Sequence, residues 1–262
     1  MRAVALPGAL IAAWIATAVM PAPVRMLSMW LHETGHAAVA WLTGFSAFPG
    51  PWFTPVDSDR SLAVAVVLVG GLSLGVYHAW QRERWLWVAV ASSAVALTLL
   101  GTFALHPLRA RQLIVFGGDG GCFVLGTALM LTVYARADHP VREERLRWAL
   151  LAIGALAFMD GRATWFGDPA AVPLGEDDRG LSDASVLTEA YGWSVPLLIG
   201  RYTRLATACL LVLGGAYVAG LVQAYRAREI GGDIESITRS DGSSGVARPT
   251  TARPTRGSGN PA

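Results

Sequence analysis

The chain has 262 residues, of which 53% are hydrophobic and 15% charged, with ten tryptophans and a mean hydropathy of +0.43. Such a composition describes an all-α, polytopic integral membrane helix bundle, and no stretch between the apolar runs is long enough to bury a sizeable core of its own. The net charge is only +2 and every basic residue is arginine, which implies no nucleic-acid partner; both cysteines, Cys122 and Cys209, sit in apolar runs, which argues against a disulfide framework or a cysteine-based metal site.

In chain order, Ala3 to Met20 follows a single Arg2 and resembles a signal peptide. Met20-Pro21-Ala22-Pro23 lacks small residues at a cleavage point, so the stretch is expected to be an uncleaved first helix ended by its prolines. A second apolar helix runs from Met26 to Gly44 and carries His32-Glu33-Thr34-Gly35-His36. Phe45 to Arg60, with Pro49, Pro51, Pro55, Trp52 and Phe53, reads as an irregular segment at the membrane interface, either an ordinary interfacial loop or one that shapes an entrance. Ser61 to Trp80 and Trp85 to Leu105 are each long enough to span the hydrocarbon core. His78 and His106 lie near span ends, where an amphipathic ring is comfortable without any role in a site. The fifth span, Gln112 to Tyr134, contains Gly117-Gly118-Asp119-Gly120-Gly121, a pattern expected of a loosely wound or broken helix start that lines a cavity or is buried in protein. An arginine-rich connector leads to a sixth span, Trp148 to Phe166, with Asp160-Gly161-Arg162. Asp168 to Arg201 is an acidic loop, with a short helix expected near Ser182-Asp183; it is either a solvated face or a lid. Tyr202 to Tyr225 is the last of about seven transmembrane helices, and residues 226–262, rich in Gly, Ser, Thr, Pro and Arg, are expected to be a disordered cytoplasmic tail.

The chemistry concentrates on the second helix. Residues four apart share one helix face, so His32 and His36 offer two imidazoles to one metal ion, and Glu33 beside them can take a proton from a metal-bound water. Two nitrogen ligands, a carboxylate base and a cation that lowers the water's pKa towards ~7 make up a zinc hydrolase site. The bland alternative is a satisfied polar cluster between packed helices. Ionisable side chains at membrane depth cost a few kcal/mol each, which favours a functional reason for them. An oxygen ligand is still needed, and Asp119 and Asp160 both qualify. Short-loop arginine bias places the start of the motif helix inside and the acidic loop outside. Counted at ~1.5 Å per residue, the two histidines lie about 9 and 15 Å from the inner edge of the core, Asp160 about 18 Å and Asp119 about 20 Å. Depth therefore leaves both aspartates open. Asp119 has a helix N-cap as its alternative role, and Asp160 a buried acid satisfied by a neighbour or an arginine.

An apolar helix with His32-Glu33-x-x-His36, Gly35 before the second histidine and Gly44 closing the segment resembles the site-2 protease group of intramembrane zinc metallopeptidases, the M50 family, and most closely its M50B-like members. The resemblance implies Zn²⁺ on His32 and His36, water activation by Glu33, and an aspartate in a later Asp-Gly step as third ligand, which favours Asp119 over Asp160. The family commonly has Asn-Pro-Asp-Gly there, whereas this chain has Gly118-Asp119-Gly120, and its lone asparagine is Asn260. The expected protein is a multi-pass enzyme of a bacterial-type plasma membrane, with residues 1–225 as its metallopeptidase-like domain. Its partners would be the lipid bilayer and a membrane protein or peptide substrate. The alternatives are a catalytically inactive metal-binding membrane scaffold and an ion or proton pathway; for the latter only one glycine break is seen, where a transporter would show paired repeats.

Overall fold

A computed structural model of the chain describes residues 2–135, 144–177 and 180–241. It divides into two units, Met1–Val218 and Ala219–Ala262. In the first, the chain is an all-α bundle. Helix α1 spans Arg2–Val19 and α2 Pro21–Leu42. Pro21 and Pro23 open α2 as well as closing α1, because the first helical turn needs no N–H donors. Helix α2 ends where Gly44 takes φ +81°, a backbone conformation that favours glycine.

Phe45 to Arg60 is more regular than its prolines suggest. Strands β1 (Phe45–Ala47) and β2 (Val56–Arg60) pair antiparallel, with Phe45 opposite Arg60 and Ala47 opposite Val56. The Arg60 guanidinium stacks over the Phe45 ring, 5.5 Å from its centroid, and donates to the carbonyls of Gly101 (3.1 Å) and Leu105 (2.6 Å). The prolines thus occupy the loop between the strands, where no ladder hydrogen bond is lost.

Helix α3 (Leu62–Gln81) and α4 (Trp85–Leu99, continuing as a π-helical turn through Ala104) form a hairpin whose side chains are mostly exposed and apolar. Helix α5 (Pro107–Leu131, ending in a 3₁₀ turn to Tyr134) is the buried centre, packed against α2 and against α6 (Glu144–Trp165). His106 caps α5, its ring Nδ1 accepting from the Leu108 N–H at 3.3 Å. The glycine run does not break α5; it stays helical throughout. Glycine serves close approach here. A Cβ on Gly121 would stand 2.5 Å from the Gly35 Cα, and one on Gly35 would overlap the Gly117 carbonyl, so α2 and α5 touch backbone to backbone.

The acidic loop holds a second two-stranded pair, β3 (Glu176–Asp177) with β4 (Gly180–Leu181), and then α7 (Asp183–Ser185), which runs into a π-helical turn, Val186–Ala190. Leu187 and Trp193 bury themselves in the core formed by α1, α5 and α6, which ties this loop to the bundle. Helix α8 begins at Val195, earlier than Tyr202, and runs to Asp241. It therefore enters the region expected as a tail, whose Ala, Arg, Glu and Ile residues are ordinary helix formers. Residues 219–241 of the second unit are this helix, and 242–262 of the expected tail lie outside the described residues.

Seven long helices, α1 to α6 and α8, stand among the described residues where seven spans were expected. Four are long and apolar enough to cross a membrane: α3, α4 with its π-turn, α5 with its 3₁₀ turn, and Val195–Arg226 of α8. Helix α1 is a shorter apolar helix, and α2 and α6, at 22 residues each, also carry buried ionisable groups, His32, Glu33 and His36 on α2 and Asp160 on α6.

Candidate metal centre

His32, Glu33 and His36 are all buried on α2, and the two histidines face α5. The i, i+4 spacing sets the two rings edge to face, 4.8 Å between centroids, with their Nε2 atoms 3.2 Å apart. Each ring is fixed from behind. His36 Nδ1 donates to the Ile114 carbonyl of α5 at 2.7 Å, and His32 Nδ1 donates to Asp119 Oδ1 at 2.9 Å. With both Nδ1 atoms protonated by these bonds, both Nε2 atoms present lone pairs to the same point.

The expected third ligand is thus found on the far side of the His32 ring. Asp119 is buried, and its second oxygen accepts from the Trp165 indole N–H at 2.9 Å. Trp165 is held in turn by stacking on Tyr202 (4.1 Å), which stacks on Phe116 (4.2 Å) and donates to the Phe116 carbonyl at 3.2 Å. Asp160 is not brought to the histidines. It accepts from Arg25 at 3.1 Å and from the Ser28 hydroxyl, near the start of α2. The reading of Asp160 as a buried acid satisfied by an arginine is the one this geometry matches.

A carboxylate from the acidic loop does reach the centre. Asp183 Oδ2 lies 3.0 Å from His32 Nε2 and 3.0 Å from His36 Nε2. A second possible donor set, His32 with Asp119 and Cys122, leaves out His36 and would break the His32–Asp119 hydrogen bond.

The first donor set fits a zinc ion on two independent grounds. Ligands 2.0–2.1 Å from a tetrahedral zinc lie about 3.3–3.4 Å from one another. The three atoms here form a triangle of 3.2, 3.0 and 3.0 Å, and three lone-pair atoms that close repel unless a cation lies among them. The space is also kept open: a Cβ on Gly118 would stand 2.5 Å from His36 Nε2 and 2.6 Å from His32 Nε2. Glycine is needed at 118 to leave the imidazole tips free.

Glu33 has its own support. The Thr54 hydroxyl, from the loop of the β1–β2 hairpin, lies 2.7 Å from Glu33 Oε2 and 3.0 Å from the Glu33 carbonyl oxygen. The contacts of Thr54 and Trp165, and the placement of Asp183 beside the histidines, are not legible in the sequence. Ser182-Asp183-Ala184-Ser185, a capping sequence ahead of apolar Leu187, was the signal that part of the acidic loop folds inward.

An all-α, membrane-compatible bundle with a paired-histidine motif on a buried helix defines the class. The profile of the family described as Peptidase M50B-like matches residues 4–49, which span α1, the motif helix and β1, and this match supports membership of the M50 family. No curated protein and no solved structure matches the chain.

Proposed function

We propose that the chain is an intramembrane zinc metalloendopeptidase that hydrolyses peptide bonds of membrane-associated substrates. The observation that carries this reading is the pair of imidazole Nε2 atoms, 3.2 Å apart, each with its Nδ1 anchored, beside a buried glutamate on the same helix. The M50B-like match over the motif helix supports it. His32, His36 and an aspartate would hold Zn²⁺, which when bound lowers the pKa of a coordinated water and polarises a carbonyl.

The chain's own residues do the rest. Asp119 and the Ile114 carbonyl keep both imidazoles in the tautomer that offers Nε2, and the carboxylate raises the basicity of the His32 ring as a ligand. Thr54 donates to Glu33 Oε2 and fixes the carboxylate plane, leaving Oε1 to take the proton of the attacking water and return it to the leaving amine. A helical substrate must unwind locally before its scissile carbonyl is free, because that oxygen otherwise accepts an intrahelical hydrogen bond.

The test compares peptide termini in membrane fractions from cells expressing the unaltered chain or Glu33→Gln. Termini inside apolar segments that occur only with the unaltered chain support the reading. Identical termini, with zinc bound to both proteins, refute proteolysis and leave a metal-binding scaffold.

A further inference from the structure

We propose that Asp183, carried by the loop between α6 and α8, is the third metal ligand, and that Asp119 acts one step out as the residue that positions His32. This rests on the zinc reading above and names the ligand set of that same site.

Three observations carry it. The first is direction. Asp183 Oδ2 is 3.0 Å from both Nε2 atoms, the only ring nitrogens not already engaged by α5. Asp119 touches the opposite nitrogen of His32. The second is commitment. Both Asp119 oxygens have partners, His32 Nδ1 and Trp165 Nε1, and Trp165 is clamped by the Tyr202 stack. To become a ligand, Asp119 would have to abandon both bonds and pass around the ring, whereas Asp183 needs no rearrangement. The pattern of carboxylate, histidine and metal is also how ligating imidazoles are ordinarily oriented.

The third is the turn that presents Asp183. The Ser182 hydroxyl accepts from the Ser185 N–H at 3.2 Å and donates to the Pro173 carbonyl at 2.6 Å, while the Ser185 hydroxyl accepts from the Gly175 N–H at 2.7 Å. Ala184, Ser185 and Leu187 are buried next to it. An acidic side chain on a merely solvated loop has no such anchoring.

The experiment uses the full chain in detergent. Zinc affinity is measured by chelator competition for the unaltered protein, His36→Ala, Asp183→Asn and Asp119→Asn, each checked for a monodisperse elution profile. Loss of an orienting carboxylate weakens metal affinity about 10–100-fold. Asp119→Asn is expected in that range, and Asp183→Asn beyond it. A direct sign of ligation comes from Cys122→Ala protein loaded with cobalt(II). Asp183→Cys in that background should add a near-ultraviolet thiolate-to-cobalt charge-transfer band, and Asp119→Cys should not. The band following Asp119→Cys instead, or Asp183→Asn holding zinc as tightly as the unaltered chain, overturns the assignment while leaving the zinc reading intact. No metal bound by the well-folded unaltered protein, and no difference from His36→Ala, overturns both.

Discussion

Gly118→Ala isolates the metal centre from the fold. The substitution adds one carbon at a fixed point of α5, within 2.6 Å of both imidazole Nε2 atoms and 2.7 Å from His32 Cε1. Ordinary contact for such atoms begins near 3.4 Å, so each ring tip must retreat by about 0.8 Å, several times the ~0.2 Å tolerance of a zinc–ligand distance. The retreat is opposed on both sides, because the Ile114 carbonyl and Asp119 hold the rings from behind. Overpacking of this kind costs about 1–3 kcal/mol. Against it, alanine is favoured over glycine in a helix interior by about 1 kcal/mol. The net loss of stability is therefore about 0–2 kcal/mol, too little to unfold the protein. Zinc occupancy, by contrast, should fall below detection. The assay is metal content by mass spectrometry beside thermal unfolding in detergent, for Gly118→Ala and for Gly120→Ala, whose added Cβ meets no atom closer than 3.5 Å. Gly118→Ala protein with full zinc would refute the reasoning, since the two Nε2 atoms could not then be the donors.

Glu33→Gln should keep zinc and lose hydrolysis by about 10²–10⁴-fold, the range for removal of a general base; zinc content and cleavage of an identified substrate check it. Thr54→Val leaves Glu33 without its donor and should lower turnover roughly tenfold or more with zinc unchanged, because a hydrogen bond to a charged group contributes about 1.5–3 kcal/mol. Asp160→Asn removes the partner of Arg25, which is itself 41% exposed, so thermal unfolding should show a loss of about 1–3 kcal/mol, between exposed and buried pairs, again with zinc retained.

The part of the centre that was legible in the sequence is the part that is local. His32 and His36 need only helical spacing to share a face, and Glu33 follows by adjacency. Asp119 was legible as a neighbour of the histidines but not as a partner of Nδ1, because which side of a ring an incoming helix meets depends on its rotation and height. Asp160 shares with Asp119 an apolar span, an Asp-Gly step and a compatible depth, and none of these fixes which helix face it occupies. Its partner, Arg25, lies in the first turns of α2, ahead of the apolar run that begins at Met26. The glycines of α5 were read as a break because glycine is usually met as a conformational freedom. Here the helix is intact, and what glycine supplies is absence of a side chain, at Gly121 for the Gly35 backbone and at Gly118 for the imidazole tips. The hairpin after α2 was hidden by its prolines, which fall between its strands.

Asp183 was not legible because an acidic loop has no periodicity to say which carboxylate turns inward. The side chains of His32 and His36 are 10% and 11% exposed, that of Asp183 32%. The centre is closed by α5 behind the rings and opens towards the loop that carries Asp183. On the proposed function, water and an unwound substrate segment would approach past that turn. Its neighbours Leu187 and Trp193 are seated in the bundle core, so the same contacts that present the carboxylate also set the width of the approach. With Asp183 as the proposed third ligand, this loop would be part of the active centre, and metal affinity and substrate access would be governed by one element.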